Sequence, residues 1–237
     1  QSAVSNFVNN FQIAIGPSIT KSFAKNDFES TFDLTFTSSK FSFFLLFLLS
    51  VPLILETETI LKLWLNVVPE FAIIFTRLIL IDLLIGCISG ALQMLAQASG
   101  NIKKYQIIVS GILLLNLPSS YLLLKFGYPA QSTLYISIIY SIIALIMRLF
   151  ILKGSVNFPV KKFFVKVLLR IFLVTATSFI IIALIYPSII AAKYHLFLML
   201  LMSSITITIS VILFGLSGSE KQLLKVQFIK VYKKFNF

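Results

Sequence analysis

The chain has 237 residues, of which 58% are hydrophobic and 12% are charged, with a net charge of +12 and a mean hydropathy of +0.99. Soluble domains carry about 25% charged residues, so this composition excludes an ordinary soluble protein and predicts an integral membrane protein. The basic residues lie mostly beside apolar blocks, which favours a membrane topology signal over a nucleic-acid-binding surface.

Seven transmembrane helices are predicted in chain order. Residues 1–24 are too polar for a lipid-facing span, but their apolar residues recur at helical spacing and predict a helix with one side on water or on other helices. Six apolar blocks follow, of about the 20 residues that a helix needs to cross the hydrocarbon core: 38–55, 71–97, 105–124, 130–152, 163–187 and 194–215. The sequence therefore predicts an all-α integral membrane protein.

The charge distribution predicts the orientation of these spans. If the seven spans alternate in direction, one side of the membrane receives sixteen basic residues and the other side receives three, Lys62, Lys125 and Lys193. The positive-inside rule makes the richer side cytoplasmic. We therefore expect the first helix to begin outside and the C-terminus to be cytoplasmic.

Two segments outside the main blocks are predicted to lie on the membrane surface. Trp64 indicates a short interfacial helix on the external side, because tryptophan favours the headgroup level. Residues 219–237 alternate apolar residues with lysines after Ser219 and Gln222, which have capping-box spacing. They predict a basic amphipathic helix on the inner leaflet, although a frayed tail is the simpler alternative.

The third helix carries a polar seam inside an apolar block. Asp82 is followed at helical spacing by Gly86, Ser89, Gln93 and Gln97. Lipid would penalise such a seam, so it should face other helices or a wet cavity. Arg77 precedes Asp82 by five residues, about 140° around the helix, so its partner should lie on another helix.

Two further helices repeat this pattern. Asn6 and Asn9 lie along one side of the first helix, with Asn10 and Gln12 near the edges of that side. Ser137, Ser141 and Arg148 give the fifth helix a polar side. Three partly polar helices can enclose a hydrated cavity, and the alternative is that their small polar residues hold helices together. Pro52 and Pro118 predict interruptions of the second and fourth spans.

Motifs for catalysis, metal binding and nucleotide binding are absent from the sequence. It contains no CxxC, HExxH, GxSxG, Walker or GxGxxG pattern, and Cys87 has no second cysteine to pair with. His195, the only histidine, follows Lys193 at an external helix end, where a headgroup or capping role is expected. We therefore expect neither an enzyme nor a protein that uses a cofactor.

Three segments resemble a known family. "NNFQIAIGPSITKSFAKNDF", "ILKLWLNVVPEF" and "ASGNIKKYQIIVSGILLLNLPSSYLLLKFG" are similar to the C-terminal half of bacterial polysaccharide (O-antigen, Wzx-type) flippases, in the superfamily that includes the MATE drug exporters. The resemblance covers residues 1–160. It implies the C-terminal lobe of a two-lobed transporter, followed by two additional transmembrane helices in 161–218 and the tail in 219–237.

The resemblance also implies a function, a location and partners. Such flippases move undecaprenyl-diphosphate-linked oligosaccharides across the bacterial inner membrane by alternating access, so the expected partners are this substrate, membrane lipids and the N-terminal lobe. Because the chain begins at Gln1 rather than Met, we expect it to be a fragment. The alternatives are a cation-coupled MATE-type drug exporter and a membrane glycosyltransferase or polysaccharide polymerase, although the short external loops disfavour an enzyme.

Site roles follow from this hypothesis. Asp82 is expected to bind a coupling proton or cation, or to neutralise a cationic neighbour. The expected substrate-binding residues are Arg77, Asn6, Asn9, Asn10, Ser89, Gln93 and Arg148. Arg77 would contact the pyrophosphate of the substrate or a carboxylate of the other lobe, and the neutral polar side chains would line a passage that accepts sugars.

Overall fold

All regular secondary structure in the described residues is helical. The computed structural model describes residues 2–65, 67–190, 195–218 and 220–222. Its elements are α1 Ser2–Ala24, α2 Phe28–Leu55, α3 Thr57–Trp64, α4 Ala72–Ile88, α5 Gly90–Ala98, α6 Ile102–Leu114, α7 Asn116–Lys125, α8 Ser132–Val156, α9 Val160–Phe163, a π-helical segment Phe164–Leu168, α10 Leu169–Ile190, α11 His195–Ser210 and a second π-helical segment Val211–Gly215. The all-α prediction is therefore confirmed for these residues.

Six helices in the described residues are long and apolar enough to cross a membrane. They are Phe28–Leu55, Ala72–Ala98, Ile102–Lys125, Ser132–Val156, Val160–Pro187 and His195–Gly215, and they overlap the six predicted apolar blocks. The chain is a multi-pass membrane protein by this measure. The predicted helix at the N-terminus is confirmed as α1, which is not among the six, so a seventh span stays a prediction.

The chain divides into two compact units, residues 1–169 and 170–237. In the first unit, α2 lies at the centre and packs against α1, α4 and α5. Its buried side chains alternate between large aromatic residues and small hydroxyl residues such as Ser38 and Ser42. Small residues let helices approach closely in a membrane, where apolar burial alone gives little drive for association.

An aromatic cluster closes one end of the first unit. Phe158 contacts Phe32 and Phe36, with ring centroids 5.4 and 5.6 Å apart, and Phe163 contacts Phe158 at 5.7 Å. Asn157, whose φ is 53°, ends α8 and turns the chain into this cluster. The chain segments around Phe32 and around Phe158 both contain lysines, and the charge distribution assigns both to the same face of the membrane. The aromatic contacts hold these two segments together.

The start of α2 is capped by an acidic side chain. The Ser30 amide donates to Asp27 Oδ1 at 3.1 Å, which satisfies one of the free amides of the first turn. Hydrogen bonds from the Ser30 side chain and from this amide hold the pKa of Asp27 below its ordinary value. Asp27 is therefore the residue that caps the start of α2.

The predicted short helix before the third span is confirmed as α3. Trp64 ends it with 82% of its surface exposed, as expected for a side chain that would meet lipid headgroups. Lys62 Nζ lies 2.6 Å from Glu58 Oε1, one helical turn away. This contact holds the pKa of Glu58 below its ordinary value.

The second unit contains α10 and α11. Arg170 Nη1 donates to the Gly215 carbonyl at 3.2 Å, at the end of the second π-helical segment. A reciprocal capping pair follows: the Ser217 amide donates to Glu220 Oε2 at 2.6 Å, and the Glu220 amide donates to Ser217 Oγ at 3.4 Å. The predicted pair at Ser219 and the remainder of the predicted tail helix lie outside the described residues.

Candidate functional site

A polar cavity of about 430 Å³ lies within the first unit. Residues from α1, α2, α4, α5, α6 and α8 form its wall, and they are Val8, Asn9, Gln12, Leu46, Asp82, Leu83, Gly86, Cys87, Ser89, Gly90, Gln93, Leu113, Ser141 and Arg148. Carboxylate, guanidinium, amide and hydroxyl groups share this wall with aliphatic side chains. The cavity can therefore hydrate or bind polar groups inside an otherwise apolar bundle.

The cavity collects most of the predicted site residues. Five of them are in its wall: Asn9, Asp82, Ser89, Gln93 and Arg148. Four residues of the predicted seam, Asp82, Gly86, Ser89 and Gln93, thus line the cavity, whereas Gln97 at its end is exposed and is not among the lining residues. Asn6 and Asn10 are exposed side chains of α1 and, like Arg77, are not among the lining residues.

Asp82 is held by two hydroxyl groups of a neighbouring helix. Ser141 Oγ donates to Asp82 Oδ1 at 2.6 Å, and Ser137 Oγ donates to Asp82 Oδ2 at 2.8 Å. The two serines are one turn apart on α8 and therefore share a face. These two short hydrogen bonds join α4 to α8 and orient the Asp82 carboxyl group in the cavity wall.

Arg148 brings positive charge to the same cavity. It lies on α8 two turns beyond Ser141, which places both on the side of α8 that lines the cavity. Its Nε atom is buried and has no hydrogen-bond partner among the described residues. Since Arg148 carries a positive charge in the wall of a cavity, its guanidinium is suited to an anionic or strongly hydrogen-bonding ligand.

The third span is interrupted next to the cavity without a proline. α4 ends at Ile88 and α5 begins at Gly90. The Ser89 amide donates to the Gly86 carbonyl, three residues back, at 3.0 Å, and regular bonding resumes with the Gln93 amide on the Ser89 carbonyl at 3.0 Å. Such breaks are tolerated in membrane helices where neighbours satisfy the freed backbone groups.

A side chain from α1 contacts the backbone at this break. Gln12 Nε2 donates to the Cys87 carbonyl at 2.8 Å and to Ser42 Oγ at 2.9 Å, and the Gln12 side chain is buried. Gly90 makes room for it, because a β-carbon at that position would overlap the Gln12 amide. Neither the break nor this contact was predicted, although Gln12 at the edge of the polar side of α1 was the available signal.

The predicted proline interruptions have different outcomes. α2 continues through Pro52 and ends three residues later at Leu55. The fourth span is interrupted at Leu115, between α6 and α7, three residues before Pro118. A proline has no amide hydrogen to donate back into the helix, so disturbance of the preceding turn is expected.

Arg77 lies away from the cavity, at the end of α2. Its Nε donates to the Ile54 carbonyl at 3.0 Å, one of the carbonyls that the last helical turn leaves without an internal partner. Thr57 Oγ1 donates to the neighbouring Leu53 carbonyl at 2.6 Å. After the larger effect of Lys62, Arg77 also lowers the pKa of Glu58. Arg77 therefore acts as a helix cap in this structure.

Replacing Arg77 with glutamine separates this capping role from the predicted substrate contact. The Arg77→Gln variant is expected to lose about 1.5–3 kcal/mol of unfolding free energy, because a charged donor to a helix end is removed. Thermal unfolding of the purified full-length protein measures this change. Loss of transport at a normal protein level would instead support the predicted contact with substrate.

Comparison of the chain with protein-family models, with curated proteins and with solved structures finds no match. Within the described ranges, no group of three or more histidine, cysteine, aspartate or glutamate side chains could hold a metal ion. Function is therefore argued from the polar cavity.

Proposed function

We propose that this chain is the C-terminal lobe of a flippase that moves lipid-linked oligosaccharides across the bacterial inner membrane by alternating access. In this proposal α1 is the first of seven spans, the C-terminus is cytoplasmic, and an N-terminal lobe completes the passage. The observation that carries the proposal is the polar cavity, in which a carboxylate and a guanidinium occur inside an apolar helical bundle.

The depth of the cavity supports a transport role. At about 1.5 Å per residue, the helical span Ala72–Ala98 is about 40 Å long. Asp82 then lies about 15 Å from the external end, and Gln93 about 8 Å from the cytoplasmic end. Because the hydrocarbon core is about 30 Å thick, this polar wall extends over much of its depth.

The wall chemistry suits a substrate that is both sugar and phosphate. Asn9, Ser89 and Gln93 provide neutral donors and acceptors, which can exchange hydrogen bonds with sugar hydroxyls without fixing one orientation. Arg148 provides the positive charge that a pyrophosphate requires for entry into a medium of low dielectric constant. Asp82 is proposed to bind the coupling proton or cation, and Asn6 and Asn10 are candidates for substrate contacts outside the cavity, whereas Arg77 caps α2.

A cation-coupled drug exporter is the second candidate, and the geometry of Asp82 favours it. Both carboxylate oxygens face the cavity side of α8 and are oriented by serine hydroxyls, an arrangement that could also accept a cationic drug. A deletion strain distinguishes the two functions. Drug sensitivity with intact surface polysaccharide would favour the exporter.

The flippase proposal is tested with two glutamine variants of the full-length protein in a deletion strain. Gln93→Leu places an aliphatic side chain in the cavity wall, and we expect about a fivefold or greater loss of surface polysaccharide, since unpaired polar groups of the substrate are costly. Gln106→Leu makes the same change on an exposed face of α6, outside the cavity. We expect normal surface polysaccharide from this control.

Surface polysaccharide is measured per cell by gel analysis, and protein abundance by immunoblotting. A deletion strain with unchanged surface polysaccharide would contradict the proposed function itself. Equal effects of the two glutamine variants at equal abundance would contradict the assignment of the cavity as the passage.

A further inference from the structure

We propose that the break at Ser89 is a hinge, and that the Gln12 side chain is the latch that holds it in the conformation described. The hinge divides the third span into α4 and α5, and the latch joins the two walls of the polar cavity. One part of the inference rests on the proposed transport function: the side of the membrane to which the cavity opens.

The two halves of the third span share α2 as a neighbour but otherwise pack mainly against different helices. α4 packs mainly against α8 and α2, and the two serine contacts of Asp82 reinforce its attachment to α8. α5 packs mainly against α1 and α2, where Ala91, Leu92 and Leu95 are fully buried. A helix whose halves belong to different neighbours can bend at its break while each half keeps its own contacts.

The walls of the cavity divide along the same line. Asn9, Gln12 and Gln93 belong to α1 and α5, whereas Asp82 and Arg148 belong to α4 and α8. A rotation of α1 with α5 relative to α4 with α8 would therefore change the width of the cavity. It would keep the contacts within each pair of helices, and it would require α2, which packs against α1, α4 and α5, to shift against one of the pairs.

Gln12 connects the two pairs at the break. Its Nε2 group lies on α1, is anchored to α2 through Ser42 at 2.9 Å, and donates to the carbonyl of Cys87 at the end of α4 at 2.8 Å. Both hydrogens of the amide group are thus used to join three helices. The Gln12 side chain is buried but lies in the cavity wall, so this polar bond can be exchanged for one with water in the cavity, which an apolar contact cannot do.

Cys87 provides a direct test, because it lies next to the latch and in the cavity wall. The full-length protein is reacted with a membrane-impermeant maleimide in inside-out and in right-side-out vesicles, and the labelled Cys87 peptide is measured by mass spectrometry. For Gln12→Ala we expect labelling from the cytoplasmic side to rise about 2- to 12-fold, the change that loss of one ordinary hydrogen bond gives. Labelling from the external side should not change.

The cytoplasmic side is expected because α5 is the half of the span nearer the lysine-rich face. The matched control is Gln106→Ala, which removes an exposed amide of α6 outside the cavity; it should keep the wild-type rates on both sides. If Gln12→Ala does not accumulate, Ser42→Ala removes only the anchor of the amide and should raise cytoplasmic labelling in the same direction.

Two results would overturn the hinge. The first is an unchanged rate from the cytoplasmic side, and the second is an equal rise from both sides together with a lower melting temperature, which indicates simple loosening of the structure. The assay contains no substrate. If the protein is not a flippase, the side-specific labelling is still expected. Failure of the hinge and failure of the flippase proposal can therefore be distinguished.

Discussion

Gly90→Ala is expected to lower the free energy of unfolding of the full-length protein by about 2–4 kcal/mol, although it adds a single methyl group. The new β-carbon would overlap the Gln12 amide, so this side chain must leave its position. Its departure breaks the hydrogen bonds to Ser42 and to the Cys87 carbonyl, and these groups would then be left without their partner. Thermal unfolding in detergent measures the change.

Gly86→Ala is the matched control, because it makes the same substitution one turn earlier on the same cavity wall. A β-carbon at Gly86 meets no atom within 4 Å, so alanine should be neutral or stabilising by about 0.5–1 kcal/mol, the usual advantage of alanine in a helix. Equal destabilisation by the two variants would show that steric overlap with Gln12 is not the cause.

A double variant identifies Gln12 as the residue that Gly90 accommodates. When Gln12→Ala is already present, Gly90→Ala has nothing to displace and should cost less than about 0.5 kcal/mol more. Additive losses in the double variant would contradict the proposed contact. This result would also remove the structural basis of the latch.

Arg148→Gln is expected to reduce transport by about 10- to 150-fold, the range that corresponds to one hydrogen bond to a charged group. Arg148 is the cationic side chain of the polar cavity wall, and its buried Nε lacks a hydrogen-bond partner among the described residues. Glutamine keeps much of the length and polarity but removes the charge. The measurement is surface polysaccharide in a deletion strain, normalised to protein abundance.

Arg77→Gln is the appropriate comparison. Arg77 is the other arginine of the first unit, it also lies within a predicted apolar block, and it is outside the cavity. Its expected effect is on stability, through the Ile54 carbonyl, with transport retained per molecule. Arg148→Lys should restore part of the activity, since a charge is kept while the planar donor geometry is lost. Full transport in Arg148→Gln would contradict a role for this residue in binding the substrate anion.

The polar wall of the third span was largely predictable from sequence. The spacing of Asp82, Ser89 and Gln93 places them on one side of a helix whatever surrounds that helix, and the cost of exposing them to lipid predicts that they face inward. The structure puts all three in the cavity wall. Their roles in transport remain predictions.

The partners of the two charges in this span were not predictable in the same way. Arg77 meets the Ile54 carbonyl and Asp82 meets Ser137 and Ser141. These contacts join residues 23 to 59 positions apart. They depend on which helices are neighbours, which helical periodicity does not specify.

The sequence by itself determined the class of protein and the position of its apolar spans, because the length of a membrane-crossing helix and the direction of each polar seam are properties of one segment at a time. Only the tertiary structure decided where the third span breaks. The break at Ser89 coincides with an amide from Gln12 and a missing β-carbon at Gly90. Both features depend on the packing of α1 against α5, and contacts between distant helices are not specified by the periodicity of one segment.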